Sequence, residues 1–551
     1  MKNKFWHTIL ITFLTLLLFG AVVVAAKELA PQNDIGAQIS PDDNAESHTI
    51  AARAAYTYTT VITVTSGTDP NDSKSQTCTA NPPCTLRRAI VEARTASPSE
   101  LPVLIRFDIP QNPAEGYDSG QQIWEIQVYN TTDLTAFRRL TSQIIIDGDT
   151  QPNGRATGPK IFIVGPGTGQ KDGLVVGDIA GDDSIQIYGL GFQNFKTHMY
   201  VNTDDNIIEG NWFGLNGAGT APYIRNDEPE DGSGNTGISF NGSPTNNVVR
   251  NNVFLGFDGV AAAIRGDDNL FEHNLIGTKA DGSVDKQTSP SLTCTTVDWL
   301  GGGGISVADD GNRIENNTFA GLRQEVFQIT TQPDAIRIDG DDHVIQNNKI
   351  GVDGTDTEVG VCGRAIYLAG ANTPDHTQVL SNTIVNPEMS AVSINGLTTD
   401  ANTLYNNTIK KTSGWPQVEG NPEPEDAIQF GPSVPDALRN FKPAAVTSIE
   451  GTAVSGTSGA GSSCPNCTVE LFLDDTDAIT EALQFLGRTV AGSNGNWSTT
   501  LPFELSAGQG IRTTSTTAQY NTIANMNAGT TTKLSELYTA DFAVFLPAIL
   551  R

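Results

Sequence analysis

The stretch Asn206-Ile207-Ile208-Glu209-Gly210-Asn211-Trp212-Phe213-Gly214 decides the fold, because it comes back. Its relatives begin at Asn247, Asn269, Asn312, His343, Thr377 and Asn402. Five residues past each start stands an asparagine: Asn211, Asn252, Asn274, Asn317, Asn348, Asn382 and Asn407. Seven past each start stands a large apolar residue: Phe213, Phe254, Ile276, Phe319, Ile350, Ile384 and Ile409. The starts at 247 and 269 are only 22 residues apart, so wider gaps read as loops inserted into one coil. A second repeat, small-apolar-x-apolar, precedes each of these. It reads Gly237-Ile238-Ser239-Phe240, Gly304-Ile305-Ser306-Val307, Ala335-Ile336-Arg337-Ile338, Ala365-Ile366-Tyr367-Leu368, Ala391-Val392-Ser393-Ile394 and Ala427-Ile428-Gln429-Phe430. Ala263-Ile264-Arg265-Gly266 is a partial copy.

A short alternating strand cannot bury its own inward face. Stacked coils let each strand pair with the one below, about 4.8 Å away, and aligned apolar residues merge into one core. An asparagine at a fixed position suits a tight turn, where it tolerates the left-handed conformation, and its amides can bond from coil to coil. The leucine-rich alternative lacks its leucine pattern. The sequence therefore predicts an all-β chain whose residues 144–430 form a right-handed parallel β-helix, a solenoid. Its N-terminal edge needs a cover. Cys84–Ala93 reads as a short capping helix with Leu86, Ala89, Ile90 and Ala93 on one face, within a cap and first coils spanning 58–143. Residues 431–446 hold three prolines and read as a linker. Alternating strands such as Val469-Glu470-Leu471-Phe472-Leu473 follow, and 447–537 reads as a small immunoglobulin-like β-sandwich. The tail, 538–551, is apolar and too short to span a membrane.

Lys2 and Lys4 precede an apolar run from Ile9 to Ala26 that ends in small residues, the pattern of a secretory signal over 1–26. An uncleaved anchor is the alternative. Residues 27–57 read as a disordered linker. Export to the cell surface or medium makes disulfides the expected state of the six cysteines. Cys78 lies near Cys84 and Cys464 near Cys467, while Cys294 and Cys362 stand far apart. Zinc is the alternative at Cys464-Pro465-Asn466-Cys467, though a second ligand pair is lacking. The net charge is −29, and −31 once Lys2 and Lys4 leave with the signal. That balance opposes nucleic-acid and anionic-lipid binding and accommodates divalent cations. The mature chain is expected to be a monomer without a membrane span.

The segment Cys84-Thr85-Leu86-Arg87-Arg88-Ala89 resembles the motif of the CSLREA domain of exported bacterial proteins, with Thr85 and Arg88 departing from its Ser and Glu. Ile145-Ile146-Asp147-Gly148 through Gln151-Pro152 looks like that family's lead into its coils. Asn274 to Gly282 and Asn348 to Gly354 look like its coil turns. The resemblance covers about residues 58–430. The sandwich and the Leu546-Pro547 ending also look like exported Chloroflexi-type proteins. It implies a surface location and carries no established catalytic residues.

Chemistry must then come from outward positions. In the second repeat the residue after the first apolar one should point out, giving Ser239, Arg265, Ser306, Arg337, Tyr367, Ser393 and Gln429. Two places on, Asp267 and Asp339 repeat beside Arg265 and Arg337. Arg265, Asp267, Arg337, Asp339 and Tyr367 are the candidate ligand-binding residues, because Arg, Asp and Tyr suit sugar hydroxyls. Arg265, Arg337, Asp339 and Tyr367 are the catalytic candidates, since polysaccharide lyases on this fold pair a basic residue with carboxylate-held Ca²⁺. Surface ion pairs are the plainer reading. A second column, two residues before each first-repeat start, holds Asp204, Thr245, Asp267, Asp310, Asp341, Asp375 and Asp400. Stacked carboxylates repel, and Ca²⁺ would compensate. An Asx turn onto the backbone two residues on needs no metal. No G-x-S-x-G, Walker or H-E-x-x-H signature is present. The leading expectation is a non-catalytic surface scaffold binding a polysaccharide or cell-surface glycan. The alternative is a lyase or hydrolase working on the Arg265–Tyr367 face, walled by loops 215–236 and 278–303.

Overall fold

In a computed structural model, residues 56–70, 76–129, 135–166, 171–178, 181, 183–223, 236–257, 259–284, 303–322, 334–370, 374–412, 426–458, 464–519 and 527–539 are described. Among them the chain is nearly all-β, and each repeat becomes one coil of a parallel β-helix. A coil begins with the second repeat in sheet B, as at Thr236–Phe240. It continues into sheet A at Val248–Arg250 and sheet C at Val253–Phe254. Among the described residues sheets A, B and C hold eleven, nine and eleven strands. Pairing runs parallel and in register from coil to coil, as Ile208↔Val249↔Phe271↔Ile314. Among the described residues the one antiparallel pair inside these sheets is Tyr117–Asp118 with Ile123–Gln127.

Alternation explains what fills the interior. Ile208, Val249, Phe271, Ile314, Ile345 and Val379 point inward from sheet A, each at most 1% exposed. The seven apolar residues expected in sheet C, Phe213 to Ile409, are all buried in the same core. Phe192, Phe213 and Phe254 stack face to face at 5.1 and 4.9 Å. Burial of each such side chain contributes roughly 1.5–3 kcal/mol.

In the seven repeat coils from residue 206 onward the corner between sheets A and C is two residues long, as Gly210-Asn211 and Asn251-Asn252 show; in an earlier coil residues 148–160 fill it. Its first residue is left-handed: Gly210 (φ 70°), Asn251 (55°), His273 (53°), Asn316 (56°), Asn347 (55°), Ser381 (53°) and Asn406 (53°). The repeated asparagine is the second residue, so the expectation that it adopts the left-handed conformation is corrected by one place. Its work is the bond between coils. Asn211 N–H and Nδ2 donate to Asn252 Oδ1 at 2.9 and 3.1 Å. Asn252 donates likewise to Asn274, and Asn274 to Asn317. Asn317 does so to Asn348, Asn348 to Asn382, and Asn382 to Asn407. A second ladder at the corner between sheets B and A joins Asn206, Asn247, Asn269 and Asn312. His343 ends its asparagine run: Asn312 N–H donates to His343 Nδ1 at 3.2 Å, and burial holds that imidazole below its ordinary value.

Both ends are closed. Helix α1, Leu86–Ala93, buries Leu86, Ala89, Ile90 and Ala93 over the first strands, as expected, and Thr85 caps it by accepting from Arg88 N–H. Cys78 and Cys84 are joined by a disulfide, and so are Cys464 and Cys467. Cys362 is disulfide-bonded, while Cys294 lies outside the described residues. At the other end the expected linker is a plug. Helix α2, Asp436–Asn440, brings Leu438 with Val434 and Phe441 into the solenoid core. The short prolines-and-turns stretch has apolar residues spaced to seal a coil, which a linker reading overlooks.

The sandwich begins at Ala445 and has sheets of three and four antiparallel strands. Their orders, first-second-fifth against fourth-third-sixth-seventh, are immunoglobulin-like. Trp497 is buried between them. The sandwich is also docked on the last coil. Ile409 and Ala482 exchange backbone bonds of 2.8 and 3.0 Å, and Thr531 N–H donates to Asn402 O at 3.1 Å. Leu404 N–H donates to Thr531 Oγ1 at 3.0 Å. Tyr538–Thr539, placed by the sequence in the apolar C-terminal tail, is a strand of the sandwich, paired with Gly510 and Ile511. The signal sequence, most of the 27–57 linker and residues 540–551 lie outside the described residues. Tyr56, at the end of that linker, is packed: its ring stacks on Tyr188 at 5.6 Å and its hydroxyl donates to Asp147. No described helix is long and apolar enough to cross a membrane.

Two outcomes follow. Asn317→Ala removes the acceptor for Asn274 and the donor to Asn348, leaving buried groups unpaired. It should cost about 2–4 kcal/mol, read as a lowered urea midpoint. Glu481 accepts from Lys411 N–H at the sandwich junction. Burial, with repulsion from Asp474, Asp477 and Asp475, pushes its carboxyl up to about 7. The folded state therefore holds that proton more tightly than the unfolded chain. Its stabilising contribution is full below the ordinary value of 4.5 and is lost as pH rises through 7. Melting temperatures between pH 4 and 8 should show this loss, and Glu481→Gln should flatten it.

Candidate functional site

The outward column of sheet B follows from strand register. Ser239 pairs with Ala263, Ala263 with Ser306, Ser306 with Arg337, and Arg337 with Tyr367. Tyr367 pairs with Ser393, and Ser393 with Gln429. Arg265 is therefore not in this column. Ala262 takes the inward place facing Ile305, and Ile264 the next one facing Val307. The aligned copy is Ala261-Ala262-Ala263-Ile264, shifted two residues from the expected Ala263-Ile264-Arg265-Gly266. The shift arises because alanine fills a position where the other coils carry isoleucine or valine. Arg265 follows the strand and stands exposed beyond Ile264, level with Ala308 and Asp339 rather than with Arg337. Arg265 and Asp267 therefore stand two places further along their coil than Arg337 and Asp339, and the two Arg–Asp pairs do not align in one column.

What remains together is Arg337, Tyr367 and two residues that sequence reasoning missed. Arg337 Cζ lies 5.5 Å from the Tyr367 ring centroid, and Arg364 Cζ lies 3.4 Å from it. Arg364 Nε donates to Asp334 Oδ1 at 2.8 Å. The Asp334 side chain is only 3% exposed. Burial pushes its carboxyl up, and Arg364 and Arg337 draw it back down. Asp334 and Arg364 occupy the same place on successive coils, just before Ala335 and Ala365. Opposite charges at one coil position were the signal available, in a column that the repeat alignment stopped short of. Arg337 has no hydrogen-bond or ion-pair partner among the described residues. Asp339 lies close over Gly370, where an added Cβ would fall 1.9 Å from its Cγ.

The aspartate column is a ladder of another kind. Thr245 N–H donates to Asp204 Oδ1 at 2.7 Å, Asp310 to Asp267 at 3.0 Å, and Asp341 to Asp310 at 2.9 Å. Asp375 donates to Asp341 at 2.9 Å and Asp400 to Asp375 at 2.7 Å. Asn527 of the sandwich finishes it on Asp400 at 2.9 and 3.0 Å. The compensation that stacked carboxylates need comes from backbone N–H groups of the neighbouring coil. The expected Asx turn does not form at Asp204, Asp267, Asp310 and Asp375. There the N–H two residues on is committed to the neighbouring ladder, from Asn206, Asn269, Asn312 and Thr377. Burial, then repulsion from Asp341 and Asp400, still raises the Asp375 carboxyl.

The described parts of the inserted loops do not wall the Arg337–Tyr367 face. They stack on each other outside sheet C: Ala280 N–H donates to Gly219 O at 3.0 Å and Gly354 N–H to Gly282 O at 2.8 Å. Residues 224–235, 285–302 and 323–333 lie outside the described residues.

No family model and no curated protein matches the chain. Among solved structures it is similar to ORF18 of Geobacillus virus E2, at 10% identity over 74% of this chain and 70% of that one, with a TM-score of 0.28. It is similar to the enzymatically active domain of bacteriophage CBA120 tailspike protein 2, at 10% identity over 77% and 71%, TM-score 0.23. It is also similar to the DFA-IIIase of Arthrobacter chlorophenolicus A6, at 9% identity over 69% and 93%, TM-score 0.24. Likenesses of this size say nothing of chemistry.

The Asp334–Arg364 pair should behave asymmetrically. Arg364→Ala strands a buried carboxylate and should cost about 3–5 kcal/mol, whereas Asp334→Asn should cost clearly less. Thermal unfolding of the two variants at neutral pH compares them directly.

Proposed function

We propose that the protein is an exported β-helix scaffold that binds an acidic glycan without cleaving it, through Arg337 and Tyr367 on sheet B. One observation carries this reading. In a chain of net charge −29, the Arg337 guanidinium has no acceptor among the described residues and stands beside an outward tyrosine. A planar guanidinium matches a carboxylate or sulfate with two parallel hydrogen bonds. The Tyr367 ring, held in place by Arg364, adds a rigid apolar surface and a hydroxyl for sugar groups. Strand pairing fixes both residues on a stiff sheet, so little order is lost on binding. The apolar leader at the N-terminus and the CSLREA-type resemblance of Cys84 to Ala89 support placement at the cell surface.

The test is affinity electrophoresis and calorimetry of the protein on polygalacturonate, a sulfated polysaccharide and neutral dextran, with and without Ca²⁺. Arg337→Ala should weaken retention by acidic chains about tenfold, and Arg337→Lys should restore it only in part. Retention unchanged by Arg337→Ala, or retention by no acidic chain, would sink the proposal. Release of unsaturated uronides by the wild-type protein would replace it with a lyase.

A further inference from the structure

The N-terminal cap holds a pocket of about 170 Å³ lined by arginines from two segments. Arg87 and Arg94 come from α1 and its C-cap, and Arg138 and Arg139 from the loop that crosses it. These segments contain the chain's two Arg-Arg dipeptides, Arg87-Arg88 and Arg138-Arg139. In a protein with 62 acidic and 33 basic residues, four guanidiniums around one cavity run against the composition.

Their partners can be followed one by one. Arg87 is the floor: Nε and Nη2 donate to Asp69 at 2.7 and 2.6 Å, and Nη1 donates to Ala136 O at 2.8 Å. Its guanidinium also lies 5.2 Å from the centroid of Phe137, so it is neutralised and immobile. Arg94 and Arg139 share one carboxylate, Asp178, at 3.0 and 3.5 Å. Arg94 also donates to Arg139 O, which draws the two segments together. Arg138 is exposed and has no partner among the described residues. Among the described residues four guanidiniums thus face two carboxylates, Asp69 and Asp178, an excess of two positive charges.

We infer that this pocket is a binding site for a dianionic tetrahedral oxyanion, sulfate or phosphate, free or carried as a monoester on a glycan. The charge deficit of two matches a dianion, and a carboxylate would leave half of it. The volume suits several waters at roughly 30 Å³ each, or one oxyanion with part of its hydration shell. Arg138 supplies the unengaged fork, and Arg94 and Arg139 supply the N–H groups that Asp178 leaves over. Neither Arg337 nor Tyr367 takes part, so the site is independent of the glycan face on sheet B.

The experiment is calorimetry of the full chain at low ionic strength with sodium sulfate and sodium phosphate, against chloride and acetate at matched ionic strength. Sulfate and phosphate should bind. Arg138→Ala should weaken both about tenfold or more, with an unchanged circular dichroism spectrum. Arg337→Ala should leave them unaffected. Arg138→Lys should recover part of the loss. In the Arg337→Ala protein, a sulfated polysaccharide binding more tightly than free sulfate would assign the glycan-borne source, and equal affinity the free ion; both uphold the chemistry. Oxyanions no better than chloride, or binding that survives Arg138→Ala, would overturn it. Loss in Arg337→Ala alone would place the anion on sheet B and overturn it equally.

Discussion

The interaction on which the rest depends is a buried primary amide that accepts from one neighbour along the axis and donates to the next. A parallel sheet leaves backbone groups at its corners without strand partners, and a buried one must find a partner. The six successors of Asn211 meet that need by receiving a backbone N–H and a side-chain N–H on one oxygen, and Asn211 itself receives the Leu190 N–H. Their own Nδ2 also reaches carbonyls of a neighbouring coil, as Asn252 reaches Ile208 O at 2.9 Å. A residue without both donor and acceptor would break the chain of bonds there. From Asn211 to Asn382 each amide is tied both to the coil before it and to the coil after it, which holds the corner at one length. The left-handed residue before it exists to aim it inward.

That spine explains how charge is distributed. Aspartates crowd one edge because each carboxylate caps a backbone N–H of the neighbouring coil, and the last is finished by Asn527 from another domain. Much of the acidic excess in that column is structural. Arginines, by contrast, are often tied to buried acids: Arg87 to Asp69, Arg364 to Asp334, Arg512 to Asp474. Against that background an arginine left without an acceptor, as at 337 and 138, stands out.

The repeat itself was readable from sequence because its physics is local and periodic. Alternation gives the inward face, and a fixed corner fixes the spacing of asparagine and isoleucine. The capping helix was readable from Leu86, Ala89, Ile90 and Ala93 for the same reason. The site was not, and the causes are specific. Arg265 was placed by matching one Ala-Ile dipeptide, yet register is set by which side chains face the core, and Ala262 is buried in the place where other coils carry isoleucine or valine. Asp334 and Arg364 sit just upstream of the alternating stretch, where no periodicity points to them. The turn role given to Asn211 was displaced by one residue, because both a left-handed residue and a buried hydrogen-bonding one favour asparagine. The plug at Val434, Leu438 and Phe441 hid behind prolines, which say where a strand stops and not what the following residues bury.

The three corners of each coil are unequal. In the seven repeat coils the A–C corner keeps to two residues, whereas the path from sheet C to the next sheet B runs from a few residues, as from Val385 to Val392, to more than twenty, as from Ile276 to Gly303. Doubling such a loop adds only about 0.6 kcal/mol of closure entropy. The molecule therefore has a seam and a fringe. New sequence can enter along the fringe without disturbing the core, and the fringe's described parts gather outside sheet C, ahead of the sheet that carries Arg337 and Tyr367. The architecture confines variation to one edge, so a lineage could retune what this surface recognises while leaving its frame untouched.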